Sequence, residues 1–368
     1  MSVSKRGASI AMAIVAHTRP FVIGVDTHAR NHAVSILACP TGEIVDEAQF
    51  PATAAGLSRA VSWVGRRTGG DLDTLWVIEG TGTYGARLAR TAADTGHTVV
   101  EAPRMNARAN RGIGKSDPLD ARRIAAAALP LQQTQLRQPR ADEGIRAAVK
   151  VLLASRDHMS TERTATINAL TALLRVVDLG IDARRPLTAT QIATTAAWRT
   201  RDEELATATA RGEAIRLAKR VAVLDGELKE ITTRITDLVR QSPAGGLLNQ
   251  PGIGPVTAAV ALTAWSHLGR IRSESAFASL AGTSPIPASS GNTVRHRINR
   301  GGDRRLNRAL HMAVVTRMRM DPRTRAYVER RTAEGRTLRE IRRCLKRYLA
   351  RDIYRRLNTA AQNELTGA

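Results

Sequence analysis

The sequence predicts an α/β domain with a mixed sheet of about five strands, followed by a helical arm and a mainly α C-terminal region. Three observations lead to this reading. Short β-branched apolar runs alternate with helical patterns up to about residue 130, which is the signature of a sheet with helices on its faces. From about residue 141 to 240 only helical spacing persists. From residue 291 to the end, 21 Lys and Arg stand against 7 Asp and Glu, so an excess of +14 sits in the last fifth of the chain. The domains implied run over residues 20–135, 136–242 and 243–368.

Residues 21–26 (FVIGVD) form a short apolar run that ends in an acid, and it reads as a buried strand. Residues 31–39 and 44–50, separated by Pro40-Thr41-Gly42, read as a hairpin, with a helix at about 54–67 after it. Residues 74–78 (TLWVI) are a fourth strand ending at Glu79-Gly80, and a helix near 84–94, a fifth strand at 97–101 and a helix at 118–129 complete the unit. In the arm, Ile145, Val149 and Leu152, then Ile167, Leu170 and Leu174, then the series from Ile215 to Leu238 keep helical spacing, with breaks expected at 180–186 and around Gly212. A helical hairpin or coiled coil that dimerises, or a plain helical bundle, satisfies this pattern.

The net charge of +23 needs a polyanionic partner, and nucleic acid fits better than a membrane because no segment has the ~20 uninterrupted apolar residues of a spanning helix. Aromatics at 3% argue against a single-strand stacking platform. Two cysteines, Cys39 and Cys344, give neither a disulfide framework nor a zinc site. The basic start and apolar residues 10–16 faintly resemble a secretion signal, but a nucleic-acid partner places the protein in the cytoplasm.

Four acids stand where chemistry is expected. If the first and fourth strands are parallel neighbours, Asp26 and Glu79 lie side by side at their carboxyl ends, where open α/β sheets place ligands. Asp117 and Asp120 are three apart on one helix face; Asp117 also suits an N-cap with Pro118 at the first helical position, and Asp120 suits the helix dipole. Together the four supply the hard oxygen donors of a site for one or two Mg²⁺ ions. Residues 109–116 (ANRGIGKS) fall one glycine short of a phosphate-binding P-loop, and no strand leads into them. Gly252-Ile253-Gly254-Pro255 between apolar helices fits either a helix-hairpin-helix, whose amides grip a DNA phosphate, or a tight interhelical turn. Finally, residues 282–312 gather hydroxyls, glycines and arginines in a loop: Ser289, Ser290 and Gly291, with Arg295, Arg297, Arg300, Arg304 and Arg305 as forked phosphate donors. Such a loop either binds DNA or carries a nucleophile.

The ordered set GVD at Asp26, IEG at Glu79, KSDPLDA at Asp117 and Asp120, then PGIGP, AGTSPIPASSG and RGGDRRLNRAL resembles the DEDD transposases of the bridge-RNA-guided insertion sequences, relatives of the Piv pilin-gene invertase. The resemblance runs from about residue 21 to 354. It implies a RuvC-like, ribonuclease H-type domain whose four acids hold Mg²⁺, a coiled-coil arm, and a transposase domain with a nucleophilic serine. It also implies donor and target DNA, a guide RNA and a homo-oligomer, dimer or tetramer, as partners. Many relatives have Asp-Ser-Gly where this chain has Ser289-Ser290-Gly291, and alignment to the glycine selects Ser290. The function so implied is strand exchange through a phosphoserine intermediate. The alternatives are a RuvC-like Mg²⁺-dependent nuclease that uses water, and a basic binding protein without chemistry.

Overall fold

The computed structural model describes residues 13–103, 116–140, 143–289, 296–297, 299 and 301–367. The chain divides into two compact units, Met1–Asp142 with Gly269–Ile271, and Glu143–Leu268 with Arg272–Ala368.

The first unit is a five-stranded mixed sheet between helices. After a short helix α1 (Val15–Thr18) come β1 (Phe21–Thr27), β2 (Asn31–Ala38), β3 (Ile44–Pro51), α2 (Ala54–Arg67), β4 (Leu75–Ile78), α3 (Ala86–Asp94), β5 (Thr98–Glu101) and α4 (Asp117–Ala128). The strand order is β3-β2-β1-β4-β5, antiparallel within the β1–β2–β3 meander and parallel for β1–β4 and β4–β5. This is the mixed α/β layout expected of a RuvC-like domain.

Both faces of the central strands are buried, and the period of two sorts their side chains. Ile23 and Val25 of β1 with Trp76 and Ile78 of β4 pack on Leu57, Ala60 and Val64 of α2 and on Leu88 and Ala92 of α3. Val22, Leu75 and Val77 face the other way, onto Ile124, Ala125 and Ala128 of α4. Each large side chain buried here contributes about 1.5–3 kcal/mol against exposure. Gly24 shares the face of Val22, and it lets α4 touch the sheet directly: a Cβ there would stand 2.0 Å from the Ala121 carbonyl oxygen and 2.6 Å from the Ala125 nitrogen. Arg122 adds a bidentate pair to Glu47 of β3 at 3.1 and 2.9 Å, which fixes the helix along its axis.

The second unit is helical. α5 (Gly144–Val176), α6 (Ala189–Ala196) and α7 (Leu205–Arg240) form one layer, in which Leu170 and Leu174 pack against Ala210, Ala214, Ala218 and Val221, with Ile192 beside them. Glu162 pairs with Arg220 at 2.7 Å and Arg163 pairs with Asp225, earlier on α5 and later on α7 than the packing of Leu174 near Ala210 and Ala214, so the two helices run antiparallel. The break expected at Gly212 does not occur; the residue lies inside α7, because small alanines at helical spacing pack the neighbouring turns tightly enough to offset the ~1 kcal/mol cost of a helical glycine.

A 3₁₀ turn (Gly245–Asn249) leads to α8 (Pro255–Trp265), α9 (Glu274–Leu280), a two-residue ladder of β6 (Ile286–Pro287) with β7 (His296–Arg297), then α10 (Arg304–Met320), α11 (Pro322–Ala333) and α12 (Leu338–Thr366). The Trp265 indole donates to Asn358 Oδ1 at 2.8 Å, tying apolar α8 to α12. Among the described residues no helix is long and apolar enough to cross a membrane.

Candidate active site

The face that carries Val22 and Gly24 carries Asp26 next, at the end of β1, so its carboxylate faces α4 and is only 7% exposed. β4 repeats the arrangement. Val25 pairs in register with Ile78, which sets Glu79 beside Asp26, and the Glu79 amide donates to the Val25 carbonyl at 3.0 Å. The Thr27 hydroxyl donates to the Glu79 carbonyl oxygen at 3.0 Å. The turn after Glu79 needs its glycines: Gly80 has φ +60°, and a Cβ at Gly85 would stand 2.5 Å from the Glu79 carbonyl oxygen.

The first turn of α4 supplies Asp117 and Asp120. Asp117 is not the cap. Ser116 occupies that position, with extended backbone and its carbonyl accepting from the Asp120 amide at 3.0 Å, so Asp117 is the first helical residue and Pro118 the second. Its side chain is thereby released from the helix end and turns to His28, whose Nε2 lies 3.5 Å from Asp117 Oδ1 and 3.1 Å from Asp26 Oδ2. Asp26, His28 and Asp117 thus offer ligand atoms all within 4.8 Å of one another. Asp120 pairs with Arg123 at 3.0 Å, one turn along the helix.

Glu79 is exposed, yet partial desolvation of its carboxyl at the strand ends, then the charge of Asp26 and a hydrogen bond with it, and further Asp120, push the carboxyl above its ordinary range. Glu79 therefore feels both Asp26 and Asp120 at the carboxyl ends of β1 and β4. A mostly buried carboxylate held against others is costly unless a cation compensates it, and a set of carboxylate oxygens with one imidazole matches a divalent ion. His28 is the residue that the sequence reading missed. The Asp-x-His spacing at a strand end is the signal for it, because residues two apart share a face.

Glu101, in register with Ile78, receives the Thr81 hydroxyl at 3.2 Å and one nitrogen of the buried Arg270, Nη2, which donates to both carboxylate oxygens at 2.8 and 2.9 Å. These contacts secure the outer edge of the same strand ends.

The strands that flank the serine loop, β6 and β7, pair antiparallel and form the base of what we call the serine hairpin. Ser289 follows β6 and is exposed. Ser290, Gly291, Arg295 and Arg300 lie outside the described residues. Arg297 is exposed in β7, and Arg304, also exposed, opens α10. Arg305 turns away to α5, donating to the Leu153 carbonyl at 2.6 Å and pairing with Asp157 at 2.8 Å. Gly252, with φ +72°, seats its turn on α10: a Cβ would stand 2.6 Å from the Ala313 carbonyl oxygen, and Arg317 Nε donates to the Pro251 carbonyl at 2.7 Å. Gly254 is the N-cap residue of α8, with open space where a Cβ would point.

Comparison with known proteins identifies the family. Residues 23–177 match a transposase family model of the DEDD type from IS110 elements, and residues 246–329 match the model described as the transposase IS116/IS110/IS902 family. The chain is 26% identical over 364 residues to the insertion element IS900 uncharacterized 42 kDa protein of Mycobacterium paratuberculosis, covering 86% of this chain and 90% of that protein. It is likewise 26% identical over 345 residues to the insertion element IS110 uncharacterized 43.6 kDa protein of Streptomyces coelicolor, covering 81% and 84%. The first model spans the acidic strand ends and the second spans the serine hairpin, each in the order the sequence predicts, and on this evidence the chain belongs to the IS110 family of DEDD transposases, enzymes whose partner is DNA.

Proposed function

We propose that this transposase cuts and rejoins DNA strands through a phosphoserine intermediate, with Mg²⁺ held by Asp26, Glu79, Asp117 and Asp120 and with a structured RNA as guide. The observation that supports the reading is that Asp26, His28 and Asp117 bring ligand atoms within 4.8 Å of one another on the face that Gly24 opens to α4, with Glu79 on the parallel strand beside Asp26 and Asp120 one turn further along the helix. Bound there, Mg²⁺ supplies neutralisation of the charge that develops on the phosphoryl oxygens. His28 bridges Asp26 and Asp117 and so fixes their spacing.

Ser290 Oγ forms a bond to phosphorus while the bond from phosphorus to the leaving deoxyribose oxygen breaks. The serine proton is balanced by the proton that the leaving oxygen takes up. Attack by the incoming strand's hydroxyl then reverses the exchange and frees Ser290, so phosphodiester bonds are conserved and no energy source is needed. Arg297 in β7 and Arg304 at the start of α10, both exposed, would hold phosphate oxygens in this reading.

The guide RNA and a homo-oligomer, dimer or tetramer, belong to the same reading. The +23 charge supports the first, and the exposed Val151, Val176, Leu205 and Val223 on the long helices of the arm support the second. The parts at residues 20–135, 136–242 and 243–368 then divide metal chemistry, assembly and strand capture among them.

Covalent capture tests the proposal. Protein incubated with its DNA and Mg²⁺ is run on a denaturing gel, and the DNA-linked peptide is sequenced by mass spectrometry. The adduct is expected on Ser290, lost in Ser290→Ala, retained in Ser289→Ala and absent under chelation. The reverse pattern for the two serines moves the nucleophile to Ser289. Metal-dependent cleavage with no adduct, unaffected by either change, replaces the proposal with a water-using nuclease.

A further inference from the structure

A cavity of about 770 Å³ lies between α10, α12 and the base of the serine hairpin. Six cationic side chains line it: Arg297, Arg304, Arg308, Arg343, Lys346 and Arg347. Its two acids are already committed to helix starts. Asp303 Oδ1 accepts from the Leu306 amide at 2.9 Å, and Glu340 Oε2 accepts from the Thr337 amide and hydroxyl at 3.0 Å each. None of the six cations pairs with a carboxylate among the described residues, whereas their neighbours Arg305, Arg351 and Arg356 pair with Asp157, Glu274 and Asp352.

The partners the six do have are neutral. Lys346 Nζ donates to Asn307 Oδ1 at 3.0 Å, and Arg347 Nη1 donates to Ser284 Oγ at 2.5 Å. Burial and, after it, the charge of Arg343 push the Lys346 ammonium below its ordinary range.

Two further features identify the counter-charge. The volume is that of a pocket for an organic ligand, far more than a lone ion needs. One wall is Tyr348, 54% exposed and held edge-on by Tyr327, which leaves ring surface for a base to stack on. Pro285 and Arg297 belong both to the cavity wall and to the hairpin region, and at ~3.3 Å per strand residue Ser289 lies only about 7 Å beyond Pro287.

We propose that this cavity receives one phosphate-bearing nucleotide of the DNA strand presented to the serine hairpin, with Lys346, Arg343 and Arg347 on its phosphate and Tyr348 against its base. The proposal rests on the reading of that hairpin as the DNA-handling loop. It adds three cations of α12 to those of the loop, and it makes the strand partly single-stranded there, because a base paired and stacked inside a duplex has no free face to lay against Tyr348.

Cys344 lines the same cavity, which gives a direct readout of occupancy. The full-length protein is treated with N-ethylmaleimide alone, with a saturating single-stranded DNA oligonucleotide, and with RNA of the same sequence, and the modification rates of Cys344 and Cys39 are followed by mass spectrometry. DNA should slow Cys344 severalfold and leave Cys39 unchanged. Lys346→Gln and the exposed Arg343→Gln should each weaken single-stranded DNA roughly tenfold and reduce the salt slope by about 0.7, while Arg323→Gln on α11, an equal loss of charge, changes affinity much less. Equal effects at all three positions, or Cys344 unprotected at saturating DNA, would overturn the cavity assignment and leave the proposed function standing. Protection by RNA alone would overturn the assignment to DNA. Wild-type protein that binds no DNA in any arm would instead refute the hairpin reading beneath it.

Discussion

Replacing Gly24 with alanine should damage the active site without touching any acid. The new Cβ would meet the Ala121 carbonyl oxygen at 2.0 Å, the Ala125 nitrogen at 2.6 Å and the Ala125 Cβ at 2.9 Å. Two of these are backbone atoms of α4, so no rotamer change relieves them, and the helix must retreat by about 1 Å to reach a tolerable contact of roughly 3 Å. Overpacking costs about 1–3 kcal/mol, and a backbone clash belongs at the upper end. For a unit of this size, ~3 kcal/mol lowers Tm by about 10 °C. The retreat also carries Asp117 and Asp120 away from Asp26 and Glu79, and a displacement of ~1 Å costs on the order of 100-fold in rate. Thermal unfolding followed by circular dichroism reads the first effect, a recombination assay reads the rate, and calorimetric titration with Mn²⁺ reads the displaced carboxylates. Gly65→Ala on α2, where a Cβ meets nothing within 4 Å, is the control and should be neutral or stabilising by up to ~1 kcal/mol. A Gly24→Ala protein with wild-type Tm and wild-type metal affinity would refute the idea that the β1–α4 contact sets the geometry.

Three further outcomes follow from the same structure. Arg270→Leu strands the partly buried Glu101 carboxylate and should destabilise the protein by about 3–5 kcal/mol in urea denaturation, since the pair is largely shielded from solvent. Because the folded state raises the Glu79 carboxyl above its unfolded value, metal-free protein keeps that contribution at low pH and loses it as pH climbs through the raised value; Tm measured against pH in chelator should fall over that window in wild type and stay level in Glu79→Gln. With an excess of +14 over the last fifth of the chain, log affinity for duplex DNA should fall by roughly 0.9 per neutralised phosphate per log unit of salt, and a flat response in fluorescence anisotropy would count against the basic helices as the DNA surface.

The sheet and the four acids were legible because both rest on local signals. An apolar run ending in an acid, twice, places two carboxylates at strand ends, and the sheet order then sets them side by side. The reason α4 can reach them was not legible: Gly24 reads as one small residue in a strand until the Ala121 carbonyl is seen against it. His28 escaped for a different reason, since its role depends on Asp117 turning off the helix cap, a rotation that Ser116 makes possible. Gly212 misled in the other direction, because a glycine weakens a helix only slightly and tertiary packing decides the outcome. The α12 cavity was hidden because its cations come from three separate elements, β7, α10 and α12, and no spacing in the sequence links Arg308 to Lys346. Arg304 and Arg305 show the limit most plainly: they are adjacent in sequence, yet one lines the cavity and the other pairs with Asp157.

The most direct test of the four-acid centre is a recombination assay on Asp26→Ala run beside a DNA-binding measurement on the same preparation. Asp26 is mostly buried between Glu79 and α4 and lies far in sequence from the basic helices, so metal chemistry and backbone binding should separate cleanly. The structure predicts recombination abolished with DNA affinity within about twofold of wild type, a change of less than ~0.5 kcal/mol. Wild-type recombination by Asp26→Ala would contradict it.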